Sequence, residues 1–401
     1  MKETKTKPLC ILSATIITAK DQIENGVVLI EDGLIQAIGT VEELLPIPDA
    51  VVMEAAGLTL VPGFIDLQCN GVFGCDFTSD PESIWDAAAQ LPRFGVTSFL
   101  PTLVSCPLET IVAARAVLAG GNSNPKPGAI PLGLHLEGPF LNPQKKGAHN
   151  PYYLRPADTT VVRNWSPENG VRMVTLAPEL PGALGVVRRL VSQGVVTSSG
   201  HSLATYEQAL LAFEAGVLCG THLFNAMAPL GHRQPGLVGA LLSDARPSVS
   251  LILDGIHIHP ALIRLVWAVK GAGRLILVSD STAASGMPPG KYRLGDQEML
   301  VTERGVQLSD GTLAGSVLPM AGAIRNLLAF TGCPLAEALP TVTKTPAALL
   351  GLSHQRGSLA PGMRADLVLL TPDLEIAYTL VAGEVIFSNP HFPKVEFSSS
   401  G

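Results

Sequence analysis

One carboxylate and two imidazoles stand at the ends of three separate apolar runs in this chain. Glu137 follows Leu134-His-Leu136, and His201 and His222 each follow a similar short run that is typical of a buried strand. Because a parallel barrel gathers the carboxyl ends of its strands at one rim, such a fold can bring these side chains together. Carboxylate oxygen and imidazole nitrogen suit Zn²⁺ or Fe²⁺. The spacing therefore predicts a divalent-metal site, although either histidine alone would more often be structural.

Three protein ligands leave a coordination position for water, which distinguishes a catalytic zinc site from a structural one. A metal lowers the pKa of that water, but a base must still remove its proton. Asp280 stands at the end of the last clear apolar run and suits this role. It could instead be the N-cap of a following helix, but Gly286, Pro288 and Pro289 make a helix there unfavourable.

Three polar residues alternate along the predicted first barrel strand, which lies in the segment 61–71. Asp66, Gln68 and Asn70 occupy every second position, so they should face the same side of the strand, towards the barrel interior. Buried polar groups need partners. For Gln68 and Asn70, direct metal ligation and a supporting polar network are both compatible with the pattern.

A second group of polar residues resembles an anion site. Asn225 and Ala226 follow His222, Arg233 lies in a Pro-Gly loop, and His257 lies in Asp254-Gly-Ile-His257. The guanidinium of Arg233 offers fork-shaped donors for a phosphate, although an arginine in such a loop is often just a solvated charge. We therefore predict a phosphate-binding group and leave the alternative open.

The middle of the chain, from about residue 62 to about residue 350, alternates apolar runs with helix-like stretches. This alternation is typical of βα units, and we expect an α/β fold in which they close into a (β/α)8 TIM-type barrel of the metal-dependent hydrolase kind. The predicted strands include Val96–Leu100, Leu132–Leu136, Met173–Ala177, Val195–Ser198, Leu251–Leu253 and Leu275–Val278.

Both ends of the chain are rich in β-strand patterns. Two runs within Gly26–Gly39 are joined through Glu31-Asp-Gly33, a strong hairpin signal, and Arg364–Leu370 and Val381–Phe387 repeat the pattern. Neither terminal piece could bury a sheet face alone, so we predict one small discontinuous β-sandwich beside the barrel. The expected domains are 1–60 and 351–401 for the sandwich and 61–350 for the catalytic barrel.

Composition excludes several classes of protein. The net charge of −7 over 401 residues leaves no basic stripe for a nucleic-acid backbone. Apolar runs are interrupted well short of the ~18 residues that a membrane span requires, so we expect no membrane partner. The six cysteines include no C-x-x-C pair, and the first residues lack the apolar region of a signal peptide, which together predict a cytoplasmic protein.

With these motifs in order, the chain resembles the N-acetylglucosamine-6-phosphate deacetylase family of the amidohydrolase superfamily. The resemblance extends from the first barrel strand to Pro361–Asp366 and includes the terminal β pieces. Six ordered matches at compatible spacing carry it, namely His135–Phe140, Lys145–Asn150, Ser199–Ser202, Thr221–Met227, Asp254–His257 and Ala314–Ser316.

The resemblance implies hydrolysis of N-acetylglucosamine 6-phosphate to glucosamine 6-phosphate and acetate. By that resemblance the metal ligands are Glu137, His201 and His222. Asp280 activates the water and later protonates the departing amine, while His149 polarises the acetamide carbonyl and contacts the substrate. The sugar phosphate is the small-molecule partner, and its remaining binding residues are Asn225, Ala226, Arg233 and His257.

The resemblance also implies a cofactor and an assembly. Members of the wider superfamily commonly have His-x-His where this chain has Gln68-Cys-Asn70, and amides are weak ligands for divalent metals. We therefore expect one ion per subunit, Zn²⁺ first and Fe²⁺, Co²⁺ or Mn²⁺ as alternatives, with Gln68 and Asn70 as a remnant second site. In this family the arginine can reach across a dimer interface, so Arg233 could serve its own or a neighbouring subunit, and we expect a homodimer.

Two other functions remain open at this point. One is another amidohydrolase, such as a cyclic-amide hydrolase or a deaminase, acting on a substrate without phosphate. The other is a catalytically silent scaffold, which would be expected to have lost a metal ligand or Asp280. This chain has all four residues, which argues against the scaffold.

Overall fold

The computed structural model describes residues 7–18, 21–45, 47, 49–121, 126–392 and 397–399. Residues 1–6, which entered the signal-peptide argument, lie outside the described residues. The strands in chain order are β1 Leu9–Ile17, β2 Gln22–Glu31, β3 Leu34–Thr40, β4 Val51–Glu54, β5 Thr59–Pro62, β6 Phe64–Cys69, β7 Gly71–Val72, β8 Cys75–Asp76, β9 Val96–Leu103, β10 Ile130–Pro131, β11 Leu134–Glu137, β12 Val171–Leu176, β13 Val196–Ser199, β14 Val217–Gly220, β15 Ser248–Leu251, β16 Leu275–Leu277, β17 Gly290–Leu294, β18 Gln297–Thr302, β19 Gly305–Leu308, β20 Leu367–Leu370, β21 Ile376–Val381, β22 Glu384–Ser388 and β23 Phe397–Ser399. The α-helices are α1 Val41–Leu44, α2 Ile84–Gln90, α3 Leu108–Gly120, α4 Ala183–Ser192, α5 Tyr206–Ala215, α6 Gly236–Ser243, α7 Pro260–Arg274, α8 Met320–Thr331, α9 Leu335–Ala338 and α10 Lys344–Leu349.

Eight parallel strands form a nearly closed barrel in the order β6-β9-β11-β12-β13-β14-β15-β16. The first and last strands meet beyond β16, where Cys69 forms a parallel bridge with Ser281 and the backbone N–H of Asn70 donates to the carbonyl of Ser281 at 2.8 Å. The predicted TIM-type barrel is therefore confirmed. Among the described residues no helix is both long and apolar enough to cross a bilayer.

The barrel interior changes from apolar to polar along its strands. Met173 on β12 and Val196 on β13 belong to one buried apolar cluster, and Thr175 and Ser198 follow them two positions later, on the same face. The Thr221 hydroxyl lies 2.7 Å from that of Thr175 and 2.6 Å from that of Ser198. The carboxyl ends of the strands are therefore lined with hydrogen-bonding groups.

His135 on β11 completes this polar layer. Its Nε2 lies 2.7 Å from the Thr175 hydroxyl, and its Nδ1 lies 3.0 Å from the Leu67 carbonyl oxygen. Complete burial lowers the pKa of His135 to about 4, so the imidazole is neutral at physiological pH. His135 thus has a structural role in the barrel interior, which distinguishes it from the histidines of the candidate site described below.

One sheet contains strands from both ends of the chain, as predicted. Its order is β22-β21-β20-β5-β1-β2-β3, and a branch leaves this order at β1, where β1 pairs with β4 and β4 pairs with β23. β1 pairs with β4 along its first half and with β5 along its second half, and Ser13, with a φ of 60°, lies at the irregularity between them. The expected hairpin turn at Asp32 and Gly33 is also present, since both residues have positive φ.

Two details of the predicted barrel are wrong. The strand expected at Leu251–Leu253 lies instead at Ser248–Leu251, because two buried serines begin it and conceal it in a pattern of apolar residues. The second is a three-stranded antiparallel sheet, β17-β18-β19, inserted between β16 and α8. Its turns at Gly295 and Gly305 were a readable signal, but helix-like alternation was expected throughout this region.

We propose that the domain boundaries lie near the expected residues 60/61 and 350/351, since β5 ends at Pro62 and α10 ends at Leu349.

A buried ion pair connects the terminal sheet with the barrel. Arg356 pairs with Asp366 and also donates to the Ser98 hydroxyl on barrel strand β9 at 2.9 Å. The other oxygen of Asp366 accepts the backbone N–H of Ala382 at 2.9 Å.

Replacing Asp366 should therefore destabilise the whole chain. Asp366→Asn keeps an acceptor for Ala382 but leaves the Arg356 guanidinium buried without its counter-charge, which typically costs about 3–5 kcal/mol. Denaturant unfolding of the variant should show a loss of this order, whereas Asp373→Asn, at an exposed turn position, should change stability by less than about 0.5 kcal/mol. Equal stability of the two variants would contradict the role assigned to this pair.

Candidate active site

Glu137, His201 and His222 meet at the carboxyl ends of the barrel strands β11, β13 and β14. Oε1 of Glu137 lies 3.1 Å from Nε2 of His201 and 2.8 Å from Nε2 of His222, and the two nitrogens are 3.2 Å apart. All three side chains are buried. The structure therefore brings together the three residues that were predicted as metal ligands.

Backbone conformation aims these side chains into the barrel mouth. His201, His222 and Asp280 have φ values of 50°, 31° and 44°, in the left-handed region that favours glycine. Such a conformation costs on the order of 1–3 kcal/mol per residue and persists only where the surrounding structure enforces it. Three strained residues around one cavity, each retaining a functional side chain, indicate a site shaped for chemistry.

The glycines next to His201 and His222 are required for different steric reasons. A side chain on Gly200 would meet Thr175 and Thr221 at 3.1 Å, so the backbone before His201 must pass close to the barrel interior. A side chain on Gly220 would instead come within 2.4 Å of Leu241 on α6. Gly200 therefore makes room for the barrel interior, whereas Gly220 makes room for the packing of α6.

The donor set fits a divalent ion. Ligands about 2.0–2.1 Å from a tetrahedral ion are about 3.3 Å from one another, close to the spacings among Glu137, His201 and His222. Nδ1 of His201 lies 2.8 Å from the Lys145 carbonyl oxygen, which can only accept, so Nδ1 carries the proton and the Nε2 lone pair faces the cluster. Lone pairs that converge at this distance require a positive charge among them.

The electrostatics of the cluster keep Glu137 ionised. Burial by itself would raise the pKa of its carboxyl group. Interactions with the imidazoles of His149, His201 and His222 outweigh burial and hold that pKa well below its usual range. Burial also lowers the pKa of His201, which favours the neutral imidazole that metals bind.

Asp280 lies in the same mouth and is held by Asn70. Nδ2 of Asn70 donates to Oδ1 of Asp280 at 2.8 Å, and Nε2 of Gln68 donates to Oε1 of Glu137 at 3.1 Å. Burial and the nearby Glu137 carboxylate raise the pKa of Asp280, which makes it a better proton acceptor than an exposed aspartate. Of the readings left open for Gln68 and Asn70, the polar network is the one these contacts favour.

His149 is oriented by the end of a different strand. The backbone N–H of Ser105 donates to its Nδ1 at 3.0 Å, so in the neutral ring the proton is on Nε2. That nitrogen lies 3.5 Å from Oε2 of Glu137. His149 therefore presents a hydrogen-bond donor to the space beside the cluster.

A cavity of about 350 Å³ opens above these residues. Its lining includes Asn225, Ala226 and His257 from the expected phosphate-binding group, together with His149 and Asp280. Asp254 orients His257 through a contact of 2.7 Å between its carboxylate and Nδ1.

Arg233 does not line this cavity. Its side chain is exposed and contacts His232 at 2.7 Å. The predicted phosphate-binding group is therefore brought together by one chain except for its arginine.

Several cavity residues were missed from the sequence. Leu294 and Leu313 come from the inserted sheet and the loop that follows it, and Val104 and Ile252 follow barrel strands. The backbone N–H of Gly295 anchors the insert by donating to Asp76 at 2.7 Å. Apolar residues at such positions carry no local signal of function, although recognising the two turns of the insert would have drawn attention to Leu294.

Comparisons with known proteins agree with this geometry. Residues 59–386 match the model of the Amidohydrolase family. The chain is 37% identical over 388 residues to N-acetylglucosamine-6-phosphate deacetylase of Bacillus subtilis (strain 168), covering 94% of this chain and 97% of that protein. It is 38% identical over 373 residues to N-acetylgalactosamine-6-phosphate deacetylase of Escherichia coli O157:H7, covering 92% and 97%.

A solved structure also matches nearly the whole chain. It is that of a mutant N-acetyl-D-glucosamine-6-phosphate deacetylase from Mycobacterium smegmatis in complex with N-acetyl-D-glucosamine-6-phosphate, at 34% identity and a TM-score of 0.87, covering 96% of this chain and 100% of that one. On the strength of its barrel, a cluster of Glu137, His201 and His222 that could hold a metal ion, and these matches over most of its length, the chain belongs to the amidohydrolase family.

Proposed function

We propose that this protein hydrolyses the acetamide of N-acetylglucosamine 6-phosphate to glucosamine 6-phosphate and acetate. Relatives at 36–40% identity over most of the chain are N-acetylglucosamine-6-phosphate deacetylases. The observation that carries the proposal is the position of Asp280 and His149, a proton acceptor and a hydrogen-bond donor, around the Glu137, His201 and His222 cluster in one cavity.

Glu137, His201 and His222 would hold one divalent ion, which we propose to be Zn²⁺, with Fe²⁺, Co²⁺ or Mn²⁺ as alternatives. When bound, such an ion acts as a Lewis acid and lowers the pKa of a water molecule. Gln68 and Asn70 use their amide nitrogens on Glu137 and Asp280, which supports a single ion.

Asp280 would act as the base and later as the acid. Its Oδ1 is engaged by Asn70, which leaves Oδ2 to take the proton of the attacking water as the water oxygen bonds to the acyl carbon. When the carbon–nitrogen bond breaks, the same proton passes to the departing amine, and acetate and the amino sugar are released. The Nε2–H of His149 donates to the acyl oxygen as negative charge develops there.

The same cavity would bind the sugar phosphate. Asn225, Ala226 and His257 are among its lining residues. Because Arg233 is exposed and outside its own cavity, we propose a homodimer in which Arg233 of the partner subunit completes the phosphate site. A free sugar phosphate is a cytosolic metabolite class, so a cytoplasmic location is part of the same proposal.

A second substrate is favoured by one specific observation. The E. coli relative is named for the galactosamine epimer and is as similar to this chain as the glucosamine enzymes. N-acetylgalactosamine 6-phosphate is therefore the alternative substrate, and it differs only in the direction of one hydroxyl.

Acetate release from matched sugars tests the proposal. The purified protein with bound zinc should hydrolyse N-acetylglucosamine 6-phosphate with a kcat/KM at least about 100-fold above that for unphosphorylated N-acetylglucosamine, because charge-assisted hydrogen bonds to phosphate would be lost. The galactosamine epimer, tested beside it, decides between the two phosphorylated substrates. Equal rates with and without phosphate would instead favour an amidohydrolase for a different substrate.

The arginine can be tested by mixing subunits that carry different substitutions. Arg233→Met should raise KM for the phosphorylated sugar by at least about tenfold with little effect on the unphosphorylated one, whereas Arg188→Met, at an exposed position on α4, should change neither. If Arg233 acts across a dimer, mixing Arg233→Met with Asp280→Asn subunits restores up to about a quarter of wild-type sites, because one site in each mixed dimer is intact. Failure to restore activity after verified subunit exchange would place Arg233 in its own subunit's site.

His149 should affect turnover more than metal binding. His149→Asn removes the donor to the acyl oxygen, and loss of one such donor typically lowers kcat by about 10²–10³-fold. Metal content measured by elemental analysis should stay at one ion per subunit. The exposed His354→Asn serves as the control, and a kcat equal to that of the control would remove His149 from the reaction.

A further inference from the structure

Glu179 lies in the loop that follows β12 and receives three hydrogen bonds from two other loops. Its Oε1 accepts Nδ2 of Asn142 at 2.9 Å and the backbone N–H of Leu203 at 2.6 Å. Its Oε2 accepts the hydroxyl of Ser202 at 2.7 Å. A half-buried carboxylate with three donors is thus placed between the loops after β11 and β13, next to a metal ligand.

These contacts belong to a closed ring that includes His201. The backbone N–H of Asn142 donates to the carbonyl of His201 at 3.0 Å, and the carbonyl of Asn142 accepts the N–H of Lys145 at 2.8 Å. The carbonyl of Lys145 then accepts Nδ1–H of His201 at 2.8 Å. Glu179 therefore fixes, through Asn142, the carbonyl that determines which nitrogen of His201 faces the cluster.

Ser202 also connects this ring to the loop that carries Asn225 and Ala226. Ser202 forms a parallel bridge with Met227, in which its backbone N–H donates to the carbonyl of Ala226 at 3.0 Å. Asn225 and Ala226 line the cavity. A displacement of Ser202 would therefore reach both a metal ligand and this loop.

We propose that Glu179 is a positioning residue that holds His201 in its left-handed conformation and in the tautomer that presents Nε2 to the metal. The backbone of His201 is strained, so it relaxes unless its flanks are tied down, and Leu203 and Ser202 are the ties on its carboxyl side. Hydrogen bonds to a charged acceptor are about twice as strong as neutral ones, which suits a carboxylate for this task. The proposal rests on the proposed metal-dependent function only for its turnover readout.

Metal release is the direct test, because it needs no substrate. Zinc-loaded Glu179→Ala should release zinc to a chromogenic chelator at least about tenfold faster than the wild type, within the 10–100-fold range that loss of such supporting contacts typically produces. Its kcat should fall by a similar factor, with a smaller change in KM. Glu207→Ala, on the exposed first turn of α5, should match the wild type in both measurements.

A conservative variant separates positioning from general stabilisation. In Glu179→Gln the amide oxygen can still accept from Leu203 and Asn142 and the amide nitrogen can donate to Ser202, so release should stay within about threefold of the wild type. Thermal unfolding of the zinc-free proteins, measured in parallel, should give similar midpoint temperatures for the Ala and Gln variants, although their zinc release rates differ.

Two results would overturn the proposal. One is a Glu179→Ala protein whose zinc release is within about twofold of the wild type. The other is a Gln variant that releases zinc as fast as the Ala variant. If Glu179→Ala does not fold, the double variant Asn142→Ala/Ser202→Ala removes two of the three donors, and its zinc release is judged by the same twofold limit. A wild type that holds zinc but releases no acetate would count against the proposed function alone.

Discussion

Two buried carboxylates in one barrel mouth are the constraint on which the rest of the site depends. Glu137 and Asp280 are both enclosed by protein, and each makes ionisation of the other less favourable. Two such charges persist at neutral pH only if positive charge and hydrogen-bond donors surround them. The amides of Gln68 and Asn70 supply the donors, and a divalent ion held by Glu137, His201 and His222 would supply the positive charge.

The barrel makes this costly arrangement possible. Three of its strands are followed by left-handed residues, His201, His222 and Asp280, which would relax in an isolated loop. The polar layer below, formed by His135, Thr175, Ser198 and Thr221, ties four neighbouring strands together. Since His135 stays neutral, the layer adds no charge under the cluster of Glu137, His201 and His222. A hydrogen-bonded layer in place of an apolar one thus supports the site from within the barrel.

Much of the fold and of the candidate site could be predicted because the sequence signals for them are local. The hairpin at Asp32 and Gly33 and the ligands at the ends of apolar runs follow from turn chemistry and strand periodicity. The inserted sheet over the cavity was missed, although its glycine turns were readable. The strand at Ser248 was displaced because serines facing the barrel interior remove the apolar pattern on which strand prediction depends.

The amino-acid sequence by itself determined the chemistry of this protein, because residue type decides what a side chain can bind or protonate. It supplied a carboxylate, two imidazoles and an aspartate at strand ends, and parallel strands necessarily bring their ends to one rim. Only the tertiary structure decided that Asn70 holds Asp280, that Glu179 joins two loops around His201, and that Arg233 lies outside its own cavity. These contacts connect segments far apart in the chain, and their geometry depends on how the whole barrel closes and packs, which no local pattern encodes.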